Sequence, residues 1–319
     1  MIERNQDETG HRESGTVCHD FPLILPRSAF RRWLKVTVGR SVLHARPQLV
    51  DRFEAGELPR GRFLERAALA ALADQYRKAG TIDRLAIQHA RFWSRQDLGE
   101  LFYDHTAERL QRQLFTGRHR PALDTIEREL ATGRFHTLVE IGCGTGDLLA
   151  HLQTRFPGLK RCIGLDLNVV QIARNLRRFA AQARLEFLAE DVSEWIQRNA
   201  QPGIAYFSYG GVFEYFTQEK FEGLLAAIAE QPPALLALVE PIGMDHDMDA
   251  DAASRPYGRE MSHSHAYPAL VEAAGLEVAW RQETADQRSR WMMLVAQKRA
   301  RLMAACSSLL SPGLLSLLV

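Results

Sequence analysis

The chain has 319 residues, of which 40 are basic and 39 acidic, so its formal net charge is +1. A nearly neutral chain has no overall field that attracts nucleic acid, and we predict no nucleic-acid partner. The composition, 46% hydrophobic and 25% charged, is typical of a soluble globular protein whose length allows one large domain or two small ones. The four cysteines lack metal-ligand spacing and the first twenty residues lack the apolar segment of a signal peptide, so we expect a cytoplasmic protein.

Residues 1–20 are polar and are predicted to form a disordered tail, whereas residues 21–120 are predicted to be helical. Apolar residues recur there at helical spacing, first at Phe30, Trp33, Leu34 and Val38. The same stretch carries six basic residues with few acids between them, namely Arg27, Arg31, Arg32, Lys35, Arg40 and Arg46. We interpret these side chains as a solvated helix face, and an anionic acceptor or an acidic membrane surface are the alternatives.

The stretch TLVEIGCGTGD, residues 137–147, carries the strongest functional signal. Its apolar residues predict a strand buried on both faces of a parallel sheet, and Asp147 begins a helical pattern. Between them stand Gly142, Gly144 and Gly146, which permit positive φ and let a ligand approach the main chain at the start of a helix. The final glycine of the dinucleotide fingerprint is missing, and an acid at the helix entrance would repel a pyrophosphate. The segment therefore predicts a strand, a loop and a helix that suit a cationic ligand.

Four further predicted strands are each followed by residues suited to a binding site. In chain order these strands lead to Asp166, to Glu190 and Asp191, to Tyr209, and to Pro241. In an open parallel sheet the ligand binds at the carboxyl ends of the strands, so these residues are expected to lie close together. A carboxylate such as that of Asp166 can accept hydrogen bonds from both hydroxyls of a ribose.

With its motifs in this order, the chain resembles the class I S-adenosylmethionine-dependent methyltransferases over about residues 100–298. The family has the same glycine spacing, an acid two residues before the first glycine, where Glu140 stands, and a carboxylate after the second strand, where Asp166 stands. The resemblance implies an α/β fold, with a doubly wound, seven-stranded, mostly parallel sheet and an antiparallel edge hairpin, over residues 121–298. It also implies that residues 21–120 form a helical cap that encloses the acceptor substrate.

The resemblance names S-adenosylmethionine as the cofactor and assigns residues to its parts. The methionine end is assigned to Glu140, Gly142, Gly144 and Asp147, the ribose to Asp166, and the adenine to Asp191 with Val192. The remaining predicted cofactor-binding residues are their neighbours Cys143, Gly146, Leu167 and Tyr209. Tyr103 is a further candidate for cofactor contact, with an apolar anchor as the alternative.

Two later segments supply candidates for catalytic residues. In SYGGVFEYF, residues 208–216, Tyr209, Glu214 and Tyr215 are candidates for acceptor contact, against an interpretation of Glu214 as a helix cap or surface acid. His263 and His265 are candidates for a general base at neutral pH, against an interpretation as histidines at a helix entrance or on the surface. No metal site is predicted.

We therefore predict a methyltransferase that moves a methyl group from S-adenosylmethionine to a small-molecule or lipid-like acceptor, with oxygen favoured over other acceptor atoms. An NAD(P)-dependent oxidoreductase and a non-catalytic S-adenosylmethionine-binding module are the rival interpretations. The apolar residues 299–319 are predicted to form a tail. This tail is expected either to cover the body of the protein or to form a homodimer contact, without stable membrane insertion. Whether the acceptor is anionic and whether the chain forms a homodimer stay open.

Overall fold

The computed structural model describes residues 23, 25–61, 63–95, 103–287 and 289–299. The tail predicted at 1–20, and all but the first residue of the tail predicted at 299–319, lie outside these ranges. Within the described residues the first strand is preceded by the helices α1 (Ala29–Ala45), α2 (Gln48–Glu54), α3 (Leu64–Ala79), α4 (Ala86–Trp93), α5 (Asp104–Phe115) and α6 (Arg120–Ala131).

Strands and helices then alternate along the chain, as the apolar runs of the sequence predict. They are β1 (Thr137–Ile141), α7 (Asp147–Arg155), β2 (Arg161–Asp166), α8 (Val169–Arg178), β3 (Leu185–Ala189), α9 (Val192–Asn199), β4 (Ile204–Tyr209), α10 (Gln218–Ala229) and β5 (Ala234–Ile242). A short ribbon follows, formed by β6 (Arg255–Tyr257) and β7 (Ser262–Ser264), and then α11 (Tyr267–Ala273), β8 (Glu277–Ala285) and β9 (Arg290–Lys298).

The seven-stranded sheet has the order β3-β2-β1-β4-β5-β9-β8. All neighbours from β3 to β5 pair in parallel, whereas β9 is antiparallel to both β5 and β8. The predicted doubly wound, mostly parallel sheet with its antiparallel edge hairpin is thereby confirmed. The order of the parallel strands reverses beside β1, so the carboxyl ends of β1, β2 and β4 frame the crevice where ligands bind in such sheets.

The sheet is buried on both faces because its central strands consist of consecutive apolar residues. Along β1, Val139 and Ile141 pack into one core with α9, α10 and α11, whereas Leu138 packs into the other with α6, α7 and α8. Each fully buried aliphatic side chain of this kind contributes about 1.5–3 kcal/mol to folding. This double burial fixes the strand ends rigidly, and the site is built on those ends.

Side-chain caps set the starts of the helices that follow β2 and β3. Asn168 accepts hydrogen bonds from the backbone N–H groups of Val170 and Gln171 at the start of α8. Asp191 accepts one from the N–H of Ser193 at the start of α9. Such caps satisfy backbone donors that a helix leaves unpaired in its first turn. They hold both helix starts at the carboxyl edge of the sheet.

The first four helices have a core of their own, in which α3 is the central helix. Gly39 of α1 lies so close to α3 that a Cβ on it would stand 1.9 Å from the carbonyl oxygen of Ala67, so only glycine permits this approach. Met261, from the turn of the β6–β7 ribbon, packs into the same core. The ribbon thereby joins the N-terminal helices to the edge of the site. No helix of the described residues is long and apolar enough to span a membrane.

Candidate functional site

The loop between β1 and α7 depends on its glycines. Gly142 has φ +71°, and a Cβ there would lie 2.4 Å from a methyl carbon of Val212. Gly146, the N-cap of α7, has φ +74°, and a Cβ there would lie 2.7 Å from the ring of Phe187. Both positions combine a left-handed backbone with a close neighbour, which any larger residue would disturb. The loop therefore presents its backbone to the crevice.

Asp166, the last residue of β2, ties that loop to the neighbouring strand. Its carboxylate accepts hydrogen bonds from the backbone N–H of Gly144 (3.1 Å) and of Asn168 (2.9 Å). The hydroxyl of Tyr103, just before α5, donates to the same carboxylate at 3.1 and 3.3 Å from its two oxygens. Burial raises the pKa of Asp166, although these donors oppose the rise.

Glu140 of β1 is 6% exposed, and its Oε2 has no hydrogen-bond partner among the described residues. Burial raises its pKa well above the usual range, and the carboxylates of Asp147 and Asp166 add to the rise. An unpaired buried carboxyl oxygen is costly unless a ligand satisfies it. The surrounding acids favour a positively charged ligand, so this end of the crevice fits the sulfonium and amino groups of S-adenosylmethionine.

The crevice opens into a cavity of about 620 Å³. Of the residues that sequence reasoning assigned to the cofactor, all except Gly146 line it, namely Glu140, Gly142, Cys143, Gly144, Asp147, Asp166, Leu167, Asp191, Val192 and Tyr209. The structure therefore brings these side chains and backbone segments together at the carboxyl ends of β1 to β4. Gly146 contributes through the turn that it permits.

Two of the acids on this wall have protein partners. The side chain of Asp147 accepts hydrogen bonds from Gln111 of α5 and Thr145, both at 2.6 Å, and pairs with Arg178. Asp191 pairs with Lys220 of α10 at 2.6 Å, and hydrogen bonds from Lys220 and Ser193 lower the pKa of its carboxyl although burial opposes them. Asp147 thus joins α5, α7 and α8, and Asp191 joins α9 to α10.

Glu214 lines the same cavity and lies in a short 3-10 turn after β4. Its Oε2 accepts hydrogen bonds from the hydroxyls of Tyr257 (2.5 Å) and Ser262 (2.8 Å). Gly211 leaves space for the other oxygen, since a Cβ there would lie 2.5 Å from Oε1. Burial raises the pKa of Glu214 to about 7, and the neighbouring carboxylate of Glu260 adds to the rise. Such a carboxyl group exchanges a proton near neutral pH.

Glu260 and aromatic rings line the cavity near Glu214. The hydroxyl of Tyr215 donates to Glu260 at 2.8 Å, and the rings of Tyr215 and Trp93 pack with their centroids 5.3 Å apart. Burial raises the pKa of Glu260, against the hydrogen bond from Tyr215 and the charge of Arg259. Ala86 and Ala90 of α4 add apolar surface to the same wall. These side chains make this part of the cavity wall largely apolar, with the carboxyl groups of Glu214 and Glu260 as its acidic groups.

Behind the cavity wall, Glu240 of β5 is fully buried and holds the loop that carries Glu214. One of its oxygens accepts hydrogen bonds from the backbone N–H groups of Val212 (2.9 Å) and Phe213 (3.1 Å). Its other oxygen accepts the hydroxyl of Ser208 at 2.7 Å. Burial raises the pKa of Glu240 to about 8, against the opposing effect of these donors.

The two candidate histidines lie behind the wall of the cavity. His265 is fully buried, its ring nitrogens hydrogen-bond to the Ser254 hydroxyl (2.7 Å) and the Phe213 carbonyl (2.8 Å), and burial lowers its pKa to about 3. His263 is also buried and contacts Asp83 at 2.8 Å. Neither lines the cavity, so the structure contradicts their prediction as general bases. Packing turned both rings inward, which their spacing in the sequence does not reveal.

Tyr209 lines the cavity, but its hydroxyl points away toward the helices. That hydroxyl donates to the backbone carbonyl of Leu110 at 2.8 Å and lies 3.1 Å from a ring nitrogen of His119. Burial raises its pKa far beyond the physiological range. Tyr209 therefore offers its ring to the cavity. Its prediction as a catalytic residue allowed a role in proton transfer, and this geometry does not support that role.

Sequence reasoning missed Trp93, Tyr257, Glu260 and Ser262 as site residues. Three of them lie in or beside the β6–β7 ribbon, whose three-residue strands are too short for a recognisable alternation. The only local signal is the Gly258 turn in RPYGRE. Among the described residues no group of three or more His, Cys, Asp or Glu side chains is arranged to hold a metal ion.

Comparison with known proteins agrees with this geometry. Residues 138–231, from β1 to the end of α10, match the family model of the methyltransferase domain. A search of curated proteins finds no match. The family match, the strand order and the acid-lined crevice identify the chain as carrying a class I S-adenosylmethionine-dependent methyltransferase domain. S-adenosylmethionine is accordingly its cofactor, and the rival interpretation as a nicotinamide oxidoreductase is not supported.

Several solved structures share parts of the fold at low sequence identity. A methyltransferase from Clostridium acetobutylicum is 11% identical, with 62% of this chain and 99% of that chain covered and a TM-score of 0.45. Magnesium protoporphyrin IX methyltransferase from Synechocystis is 12% identical, with coverage of 59% and 83% and a TM-score of 0.41. The N-methyltransferase NodS from Bradyrhizobium japonicum is 14% identical, with coverage of 56% and 88% and a TM-score of 0.38.

Proposed function

We propose that the protein transfers the methyl group of S-adenosylmethionine to a hydroxyl group of a small-molecule or lipid-like acceptor, with Glu214 as the general base. The observation that carries the proposal is that one cavity is lined both by the acid-rich crevice at Glu140 and by the carboxyl group of Glu214. The crevice suits the cofactor, and Glu214 offers a base with a pKa of about 7. The polypeptide thus supplies both binding regions that methyl transfer requires.

For cofactor binding we propose the roles that the family resemblance assigns. Glu140 and the backbone of the loop from Gly142 to Gly146 hold the methionine end. The carboxylate of Asp166 holds the ribose, and Asp191 with Val192 contacts the adenine. The unpaired oxygen of Glu140 supports this arrangement, because a cationic ligand supplies the partner that the protein leaves out.

When bound, S-adenosylmethionine supplies a methyl group on a positively charged sulfur, which reacts by in-line displacement. The main task of the protein is then to hold the acceptor atom about 3 Å from the methyl carbon. A hydroxyl group must also lose its proton, which Glu214 takes up on its carboxylate. A base serves a hydroxyl or a protonated amine, whereas an uncharged amine already has a free lone pair and needs none; between the first two we favour oxygen as the acceptor atom.

The walls on the acceptor side support an acceptor with an apolar body. Apolar surface that would contact such a body comes from α4, at Ala86, Ala90 and Trp93, and from the ring of Tyr215. Glu214 supplies a polar contact that orients the reacting group. An anionic acceptor and a homodimer stay predictions from the sequence.

The test compares Glu214→Gln with the wild type. Glutamine preserves the size and the hydrogen-bonding capacity of the side chain but does not accept a proton, so we expect S-adenosylmethionine binding to be unchanged in calorimetry. Methyl transfer to acceptors in a cell extract, followed as a gain of one methyl mass, should fall by about 10²–10⁴-fold. The wild-type rate should rise with pH up to about 7, because the base acts in its deprotonated form.

Glu219→Gln on the exposed face of α10 is the matched control and should behave as the wild type. Absence of S-adenosylmethionine binding by the wild type would refute the cofactor assignment. Full activity of Glu214→Gln with the same pH profile would refute the role of Glu214 while leaving the cofactor site intact. Binding without transfer to any acceptor would instead favour the non-catalytic module.

A further inference from the structure

The first turns of α1 and α3 expose large apolar side chains that no part of the proposed function uses. Their exposed fractions are 68% for Phe30, 61% for Trp33, 46% for Leu34, 60% for Phe63 and 48% for Leu64. We call these five residues the α1 patch. The rings of Phe30 and Trp33 stack with their centroids 6.1 Å apart. A cluster of exposed apolar side chains of this size commonly marks an interaction surface.

The two helix starts lie at the same end of the molecule because α1 and α3 run in parallel. In the first half of each helix, Arg66 of α3 lies close enough to Lys35 of α1 for its charge to help lower the pKa of Lys35, which burial lowers most. Further along, Arg40 of α1 pairs with Asp74 of α3 at 3.0 Å. The buried residues of α1 begin only at Val36, so its first two turns extend beyond the core. Phe63 and Leu64 precede Arg66 at the start of α3 and belong to the same end of this helix pair.

The electrostatics around the α1 patch are positive. The sequence of α1 contains no acidic residue, and the exposed Arg31 and Arg32 stand between Phe30 and Trp33. Neither arginine forms an ion pair with a described residue. The nearest acid in the first turn of α3, Glu65, is already paired with Arg52 at 3.3 Å. The amino end of a helix adds a further partial positive charge.

The α1 patch also lies beside the cavity. Arg27, just before the Ser28 cap of α1, lines the cavity together with Arg259 of the ribbon turn. The backbone N–H of Leu25 donates to the carbonyl oxygen of Arg259 at 2.9 Å, and the side chain of Arg259 donates back to the carbonyl oxygen of Leu25 at 2.7 Å. The segment that leads into α1 is thus fixed to the rim of the cavity on its acceptor side.

We propose that the α1 patch docks the protein onto an anionic lipid bilayer and presents the cavity to the membrane surface. Aromatic and aliphatic side chains enter the interface between headgroups and acyl chains, while the exposed Arg31 and Arg32 contact anionic headgroups. Such docking is peripheral and needs no membrane-spanning helix. An apolar acceptor would then reach the site from the bilayer without crossing water. The charge complementarity favours an acidic bilayer over a second copy of the chain, whose α1 patch carries the same positive charge.

The test measures cosedimentation of the full-length protein with vesicles of phosphatidylcholine alone and with added phosphatidylglycerol. We expect binding only to the vesicles with phosphatidylglycerol, weakened by added salt. Phe30→Ser with Trp33→Ser should weaken it at least about tenfold, since two interfacial rings are lost. Arg31→Gln with Arg32→Gln should weaken it about thirtyfold, the factor expected for two charges near an anionic surface. The substituted side chains are exposed, so thermal unfolding should be unchanged.

Leu176→Ser with Arg177→Gln on α8 is the matched control, since Leu176 is 52% exposed and Arg177 is exposed, and it should bind as the wild type. Equal binding to both kinds of vesicle, or none to either, would overturn the proposal. Undiminished binding by the patch variants would overturn it as well, by assigning the contact to another segment. A dimer in sedimentation velocity that the Phe30 and Trp33 substitutions abolish would show that a second copy covers the α1 patch. None of these outcomes depends on methyl transfer, so the proposed function is tested separately.

Discussion

The buried carboxyl group of Glu240 allows a quantitative test through the pH dependence of stability. Raising its pKa from the ordinary 4.5 to about 8 disfavours the charged form in the folded protein by about 5 kcal/mol. Because the folded protein holds this proton more tightly than the unfolded chain, the stabilising contribution is complete below pH 4.5 and is lost as the pH rises through 8. Glu240→Gln removes this titration. Its amide oxygen accepts the N–H groups of Val212 and Phe213, and its amide nitrogen donates to the hydroxyl oxygen of Ser208.

The free energy of unfolding of Glu240→Gln should therefore increase relative to the wild type as the pH rises. The two pKa values give a relative gain of about 2–3 kcal/mol between pH 5 and pH 7 and about 1 kcal/mol more between pH 7 and pH 9. Urea denaturation at these three pH values, followed by tryptophan fluorescence, measures the difference. Glu219→Gln, which replaces an exposed carboxylate on α10, is the control and should run parallel to the wild type.

Parallel stability curves for Glu240→Gln and the wild type would refute the reasoning, because they would mean that Glu240 is ionised in the folded protein at neutral pH. A second variant separates charge from hydrogen bonding. Glu240→Ala leaves the N–H groups of Val212 and Phe213 without a partner, and each unsatisfied buried donor costs about 1–3 kcal/mol. We therefore expect Glu240→Ala to be less stable than Glu240→Gln at every pH.

Three further substitutions test the site. Gly142→Ala should destabilise the fold by about 1–3 kcal/mol and weaken S-adenosylmethionine binding in calorimetry, because φ at this position is +71° and the new Cβ would meet Val212. Unchanged binding would show that the loop tolerates a side chain. Tyr103→Phe should bind S-adenosylmethionine about fivefold more tightly, because the hydroxyl of Tyr103 in the wild type competes with the ribose for Asp166. Weaker binding would show that this hydroxyl contributes directly to cofactor binding. His265→Phe should lower the free energy of unfolding by about 1–3 kcal/mol through its two lost hydrogen bonds. Its pH profile of methyl transfer should match the wild type, and a displaced profile would restore His265 as a proton carrier.

The cofactor end of the site was predictable because its signals are local. The strand, the turn and the helix start follow one another within residues 137–147, so glycine spacing and apolar pattern together predict their order. Asp166 and Asp191 were found in the same way, since each directly follows a predicted strand. In a parallel sheet all these positions meet at one edge, whatever packs elsewhere.

The proposed acceptor side of the cavity was not predictable in this way because its residues come together only on folding. Glu214 follows β4, but its partners Tyr257 and Ser262 belong to the β6–β7 ribbon and Trp93 ends α4. The sequence presented His263 and His265 as candidates for a general base, since an exposed histidine titrates near neutral pH, and Glu214 as a candidate for acceptor contact. Burial changes both expectations, because it raises the pKa of Glu214 to about 7 and lowers that of His265 to about 3.

The sequence by itself determined the sheet, the glycine loop and the acids at the strand ends, because periodicity and turn chemistry act between residues that are neighbours in the chain. Tertiary structure decided which side chains face the cavity and which carboxyl group titrates near neutral pH. Both properties depend on desolvation and on hydrogen bonds between distant segments, which only the packed protein brings into contact.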